Sequence, residues 1–306
     1  MINVEKLTKS FAKKKVLDKI SFNVAEGESF AILGSNGAGK STVVKILTTC
    51  LIPDSGTVKI NRYDLRTQAS EIRKCISVVS QNTALDEQLT ATENLSFFGK
   101  LFGIKSKNLK QIVHQQLVDF NLVDEGYKRV SDFSGGMKRR LDLAVGLINR
   151  PKILFLDEPT TGLDPVSRHD LWETVKKLKS NNTTIILTTQ YLEEADQLAD
   201  NLILINDGKI CASGNPEKLK HQYGKFSASI YFSHHERLAV AQQIMTKFGI
   251  ISIDAQQFCI NIVLNHGVAS FIELMKNLDK ASIELADVKF SRPSLDDLFC
   301  KITSNS

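Results

Sequence analysis

Short apolar runs separated by amphipathic stretches dominate the first two thirds of the chain. Ser29–Leu33, Ile76–Ser80, Ile153–Asp157, Thr184–Thr188 and Leu202–Asn206 are each rich in Ile, Leu, Val, Phe or Thr and carry few charges. Strands buried on both faces have this character, because helices cover both sides of a parallel sheet. The alternation predicts an α/β architecture as far as about residue 215. Met1–Lys6 reads as a further strand, and Leu202–Asn206 runs into Asp207-Gly208, a hairpin signal.

Between Thr90 and Arg150 the strand pattern stops. Thr90-Ala91-Thr92-Glu93 has the spacing of a capping box, and helical periodicity follows, which predicts an inserted helical subdomain at about 90–150. After Gly214-Asn215-Pro216 the order becomes strand Phe226–Phe232, helix Arg237–Phe248, strands near Ile251–Asp254 and Phe258–Leu264, helix Val268–Leu278 and strand Ile283–Phe290. This βαββαβ succession predicts a small α+β domain of ferredoxin-like type. The expected division is therefore 1–215 and 216–306, and a length of 306 residues suits a large body with an appended unit.

Composition narrows the classes. Apolar residues make up 42% and charged residues 24%, as in soluble globular chains, and no apolar run approaches the roughly 18 residues of a spanning helix. The first residues lack the basic-then-apolar order of a signal peptide, so a cytoplasmic location is expected. Cys50, Cys75, Cys211, Cys259 and Cys300 have no paired spacing and read as reduced core thiols rather than a zinc site or a disulfide framework. The net charge of +5 is mild, and the cluster Lys13-Lys14-Lys15 lies between two strand-like stretches. It reads as a solvated hairpin loop or a nucleic-acid contact; with no basic stripe continuing from it, no nucleic-acid partner is expected.

The chemistry is concentrated in two segments. Gly34-Ser35-Asn36-Gly37-Ala38-Gly39-Lys40-Ser41 satisfies G-x-x-x-x-G-K-[ST], after the strand Phe30–Leu33 and before the helical stretch Thr42–Leu47. Such glycines let backbone N–H groups face the phosphates of ATP, Lys40 reaches the β- and γ-phosphates, and Ser41 ligates Mg²⁺. The second segment, Ile153–Glu158, is an apolar strand ending in two carboxylates, which a parallel sheet delivers to its carboxyl edge. Asp157 is then expected in the Mg²⁺ shell and Glu158 as the group that polarises the attacking water.

Phe133-Ser134-Gly135-Gly136-Met137, opening the helix Lys138–Ile148, closely resembles the signature sequence of ATP-binding cassette (ABC) proteins. In physical terms it is a second helix N-terminus with exposed amides. The resemblance implies that it closes over ATP held by a partner subunit, so that a homodimer sandwiches two nucleotides. It further implies a Q-loop role for Gln81, linking Mg²⁺ and water to the transport machinery, and a dimer-crossing D-loop at Gly162-Leu163-Asp164. Asp164-Pro165 is equally an ordinary helix N-cap and N1 pair. Phe11 stands where the family often stacks an aromatic on adenine, with a core phenylalanine as the rival reading.

After Thr184–Thr188 the family usually carries a switch histidine, whereas this chain has Gln190. An amide can donate a hydrogen bond to the γ-phosphate but lacks the imidazolium charge, which implies slow but real turnover. The stretch Thr188–Asp200 and the segment Arg292-Pro293-Ser294-Leu295-Asp296-Asp297-Leu298-Phe299 are similar to the daunorubicin-resistance type of exporter ATPase. That likeness implies a separate ABC-2-type membrane permease as partner, a position on the inner face of the cell membrane, and a docking groove formed by the helical insert and the Gln81 loop. Leu95, Phe97, Phe98, Leu101 and Phe102 are candidates to line it, or else form a core stripe.

Overall fold

Alternate burial along Ile2–Phe11 (β1) and Lys14–Val24 (β2) builds an antiparallel hairpin in which Ile2 faces Val24 and Phe11 faces Lys14. The computed structural model describes residues 1–12, 14–180, 182–233, 237–254 and 256–304; of the lysine cluster, Lys13 lies outside the described residues, while Lys14 and Lys15 are exposed at the start of β2. The chain then runs through Ser29–Leu33 (β3), Lys40–Leu47 (α1), Ser55–Ile60 (β4), Tyr63–Asp64 (β5), Ala69–Cys75 (α2) and Ile76–Val79 (β6). Three longer helices follow: Ala91–Leu101 (α3), Ser106–Asp119 (α4) and Gly135–Leu147 (α5). Next come Ile153–Asp157 (β7), Pro165–Ser180 (α6), Thr184–Thr189 (β8), Leu192–Leu198 (α7), Asn201–Asn206 (β9) and Lys209–Gly214 (β10).

Two sheets result within the unit Met1–Pro216. One is a six-stranded sheet ordered β10-β9-β3-β8-β7-β6, parallel except for the β9–β10 hairpin around Asp207-Gly208. The other is an antiparallel sheet ordered β2-β1-β4-β5. This second sheet goes beyond the parallel architecture expected from the apolar runs; β4 carries alternating burial and too few consecutive apolar residues to stand out. Its core is shared with α1: Leu7, Leu17 and Ile60 pack with Val43, Ile46 and Leu47 and with Phe155 and Ile186 of the parallel strands. Each fully buried side chain of this size contributes about 1.5–3 kcal/mol of apolar transfer energy.

In the helical insert, Thr90 caps α3 in a complete capping box: its hydroxyl accepts from the Glu93 amide while Glu93 accepts from the Thr90 amide. Leu95 is fully buried, as the core reading of that stripe has it, whereas Phe97, Leu101 and Phe102 are exposed. Helix α5 begins three residues before the predicted start, at Gly135, because Ser134 caps it.

The unit Glu217–Ser306 has its own core. Pro216–Tyr223 (α8) leads into Ser227–Phe232 (β11), Leu238–Met245 (α9), Gly249–Asp254 (β12), Cys259–Leu264 (β13), Gly267–Lys280 (α10), Leu285–Ser291 (β14) and Leu295–Ser304 (α11). The strand order β12-β13-β11-β14, antiparallel throughout, is the ferredoxin-like arrangement. Of the five cysteines only Cys75 and Cys259 are buried; Cys50, Cys211 and Cys300 are exposed, so the expectation that all are core thiols fails for three.

Candidate functional site

Parallel register brings the chemistry together. Leu33 at the end of β3 is opposite Thr189 of β8, Asp157 at the end of β7 is opposite Thr188, and Leu156 is opposite Val79 of β6. The residues that leave these strands, Gly34, Gln190, Glu158 and Gln81, therefore follow one another along a single carboxyl edge. Side chains contributed by sequence positions 34 to 190 converge there because adjacent parallel strands end at the same level.

At this edge the phosphate-loop segment turns from β3 into α1. Ser35, Asn36 and Gly37 are exposed, and Gly34, Ala38, Gly39 and Lys40 are buried. Gly39 has φ 112°, and a Cβ there would lie 2.7 Å from Leu17 Cδ2, so the turn requires glycine on two grounds. Lys40 is 4% exposed; its Nζ donates to the carbonyls of Gly34 (2.9 Å) and Ser35 (3.2 Å) and lies 3.3 Å from Glu158 Oε1. Ser41 is exposed beside it and Thr42 is half-buried.

Thr188 holds the carboxylate of Asp157 and the backbone of Glu158 at the β7 end. Its hydroxyl donates to Asp157 Oδ1 at 2.5 Å, and the Glu158 amide donates to the Thr188 carbonyl and hydroxyl oxygens, each at 3.1 Å. Glu158 adopts φ 47°, a left-handed conformation that costs a non-glycine residue about 1 kcal/mol or more. The divided hydrogen bond to Thr188 offsets that cost and aims the side chain back toward Lys40. Gln190 is half-buried, following Thr189, whose carbonyl accepts from the Gly34 amide at 3.3 Å. Gln81 is exposed.

Phe11 is 48% exposed, with Lys9 Nζ 5.6 Å from its ring centroid, and Lys9 is in turn paired with Asp54 at 2.7 Å. The core reading of Phe11 is thereby overturned.

The serine-glycine turn is built differently. The Ser134 hydroxyl accepts from the Met137 amide, leaving Ser134 and Gly135 exposed. A Cβ on Gly135 would meet only Leu163, at 3.8 Å, and one on Gly136 would lie 2.6 Å from Ser167 Oγ. Ser167 belongs to the cap of α6: Asp164 accepts from its amide (3.0 Å) and its hydroxyl (2.6 Å), bonds that lower the Asp164 pKa below the usual carboxylate range. Asp164 thus does serve as an N-cap. Within one chain the turn borders Leu163 and Ser167, not the phosphate loop.

Sequence reasoning missed a buried polar layer beneath this edge. Arg139 donates from Nε to the Pro159 carbonyl (2.8 Å) and from Nη1 to the Ser80 carbonyl (2.7 Å), and pairs with Asp142 at 3.2 Å. Burial pushes the Asp142 carboxyl up to about 6 despite the guanidinium. Glu194 is fully buried, and desolvation raises its pKa. A charge at Arg139, four residues before Leu143 and seven before Gly146, falls on the apolar face of α5, and that misplaced charge was the available signal.

Comparison with known proteins places this geometry. The family described as ABC transporter matches residues 17–161. The chain is 38% identical over 304 residues to daunorubicin resistance ATP-binding protein DrrA3 of Streptomyces coeruleorubidus, covering 99% of this chain and 96% of that one. It is 42% identical over 222 residues to Nod factor export ATP-binding protein I of Rhizobium sp. (strain N33), covering 72% and 73%. A solved ATP-binding subunit of an ABC transporter superposes with a TM-score of 0.65 at 28% identity, over 73% of this chain and 93% of that one.

Proposed function

This chain belongs to the ABC transporter family as an ATP-binding and ATP-hydrolysing subunit, and from that premise we propose that it powers export through a separate ABC-2-type membrane permease. Full-length similarity to a daunorubicin resistance protein and partial similarity to a Nod factor export protein support an exporter whose permease selects a drug-like, lipid or glycan cargo. Among the described residues no helix is long and apolar enough to cross a membrane, so a membrane-spanning load is assigned to another subunit. The proposed location is the cytoplasmic face of the cell membrane. Exposed Phe97 and Leu101 on α3, with Phe102 at its C-cap, are the proposed docking face.

In the proposed reaction the amides of Gly34–Thr42 and the Lys40 ammonium hold the triphosphate, and Phe11 stacks on adenine. Mg²⁺, when bound, neutralises charge on the β- and γ-phosphates. The Ser41 hydroxyl, the Asp157 carboxylate and the Gln81 amide oxygen are hard oxygen donors that suit it. Lys40 already satisfies Gly34, Ser35 and Glu158. Phosphate binding must therefore draw its charge off Glu158, freeing that carboxylate to accept a proton from the attacking water. Gln190 donates toward the γ-phosphate. The exposed turn Ser134-Gly135-Gly136 covers a nucleotide on the partner protomer, with Asp164 crossing beside it.

The observation that carries this reading is the alignment of Gly34, Gln190, Glu158 and Gln81 on one sheet edge. Its test is Glu158→Gln with Mg-ATP. ATP-dependent dimers on size exclusion, with phosphate release reduced at least a hundredfold, are expected. A variant that stays monomeric even when assembled with its permease rejects the sandwich. Copurification with a multi-spanning membrane protein is expected for the export assignment.

A further inference from the structure

Resting on the hydrolytic reading above, we propose that Arg139 is a positioning residue that fixes the separation between Gln81 and Glu158 and ties both to the helix opened by Ser134. The carbonyls it holds belong to Ser80, one residue before Gln81, and Pro159, one residue after Glu158. Guanidinium donors lie in a rigid planar fork, so two carbonyls bound by one arginine keep a set spacing. Arg139 is 6% exposed, and Nη2 is buried with no hydrogen-bond partner, so the side chain is held deep in the protein at a cost.

Asp142, one turn further along α5, completes the grip. It pairs with Arg139 at 3.2 Å, so the arginine that holds the Gln81 loop at the Ser80 carbonyl is itself anchored on α5. Asp157 of β7 and Glu194 of α7 also face the guanidinium electrostatically. Arg139 lies five residues from Ser134, about 7.5 Å along the helix. A displacement of α5 that seats Ser134 on a partner's nucleotide therefore moves the Gln81 loop and the Glu158 segment together.

A lone truncation of Arg139 would strand a buried carboxylate, so the informative variant is the double Arg139→Met/Asp142→Leu, which replaces a buried pair by apolar groups of similar size. In the full-length protein we expect ATP affinity and KM within about threefold of wild type, kcat lowered about tenfold or more, and faster amide exchange in residues 80–84. Arg139→Lys keeps the charge without the fork and is expected to rescue less than half of the lost kcat; it carries the same test should the double variant not fold. A folded variant with kcat within threefold of wild type and unchanged exchange at 80–84 overturns the proposal. So does loss of ATP affinity in proportion to kcat, which marks a purely structural role. Glu158→Gln is measured in parallel: if it retains full turnover, the hydrolytic assignment fails, whereas if it is inactive while the Arg139 variants are normal, only the positioning role fails.

Discussion

Two glycine-bearing turns in this chain each open a helix, and their surroundings differ sharply. The turn before α1 sits on the sheet edge, and its lysine is saturated by Gly34, Ser35 and Glu158 of the same chain. The turn before α5 leaves Ser134 and Gly135 exposed, and its glycines border Leu163 and Ser167. Both offer backbone amides with the positive end of a helix dipole. The first places a buried lysine 3.3 Å from Glu158 at the sheet edge, whereas the glycines of the second border Leu163 and the Asp164-capped Ser167. On the proposed reading, the same backbone device serves chemistry in one place and recognition of a partner's nucleotide in the other.

The most severe way to break this contrast is Lys40→Ala. Removing a charge-assisted contact to the phosphates is expected to weaken ATP binding by the isolated chain about a hundredfold, read by isothermal titration. Gly136→Ala should act on the other turn alone. Its added methyl meets Ser167 Oγ and disturbs the Asp164 cap, so turnover should fall about tenfold while ATP affinity of the isolated chain is unchanged. Equal loss of affinity in the two variants would erase the distinction.

Gln190→His sharpens the account of the first turn. An imidazolium beside the γ-phosphate adds charge that the amide lacks, and kcat is expected to rise about threefold; a fall would show that Gln190 is matched to its site.

The smallest effect on turnover is expected from Asp142→Asn, whose signature is pH dependence. The Asp142 carboxyl is raised from 3.8 to about 6 by burial, so between those values the folded chain holds more protons than the unfolded one. Its contribution to stability is greatest at the acid end of that window and declines as pH rises through it. Asn removes up to one proton's share of the slope, about 1.4 kcal/mol per pH unit, measurable as a flatter urea-midpoint profile between pH 4 and 6.

Much of this was legible beforehand where the deciding residues are neighbours in the chain. The spacing from Gly34 to Ser41, the Thr90–Glu93 box and the βαββαβ order of the last unit each describe short-range geometry, and each element formed as expected. The family resemblance read from Ser134–Met137 and Thr188–Asp200 is matched by 38% identity across the whole chain. Of the antiparallel sheet, the hairpin of β1 and β2 was legible but the addition of β4 was not, because β1 and β4 become partners only through pairings such as Val4 with Val58. Nor was the exposure of Phe11, since an aromatic in an alternating strand suits either face.

By itself, then, the sequence determined the phosphate-loop turn and the helix caps, because hydrogen bonds between near neighbours set those conformations, and it marked the strand that ends in two carboxylates by its unbroken apolar run. Only the tertiary structure decided that Thr188 clamps Asp157 and Glu158, that Arg139 spans Ser80 and Pro159, and that Leu95 is core while Phe97 is not. These outcomes depend on which strands end side by side and which helix face is covered. That is settled by the packing of the whole sheet, not by any local stretch of chain.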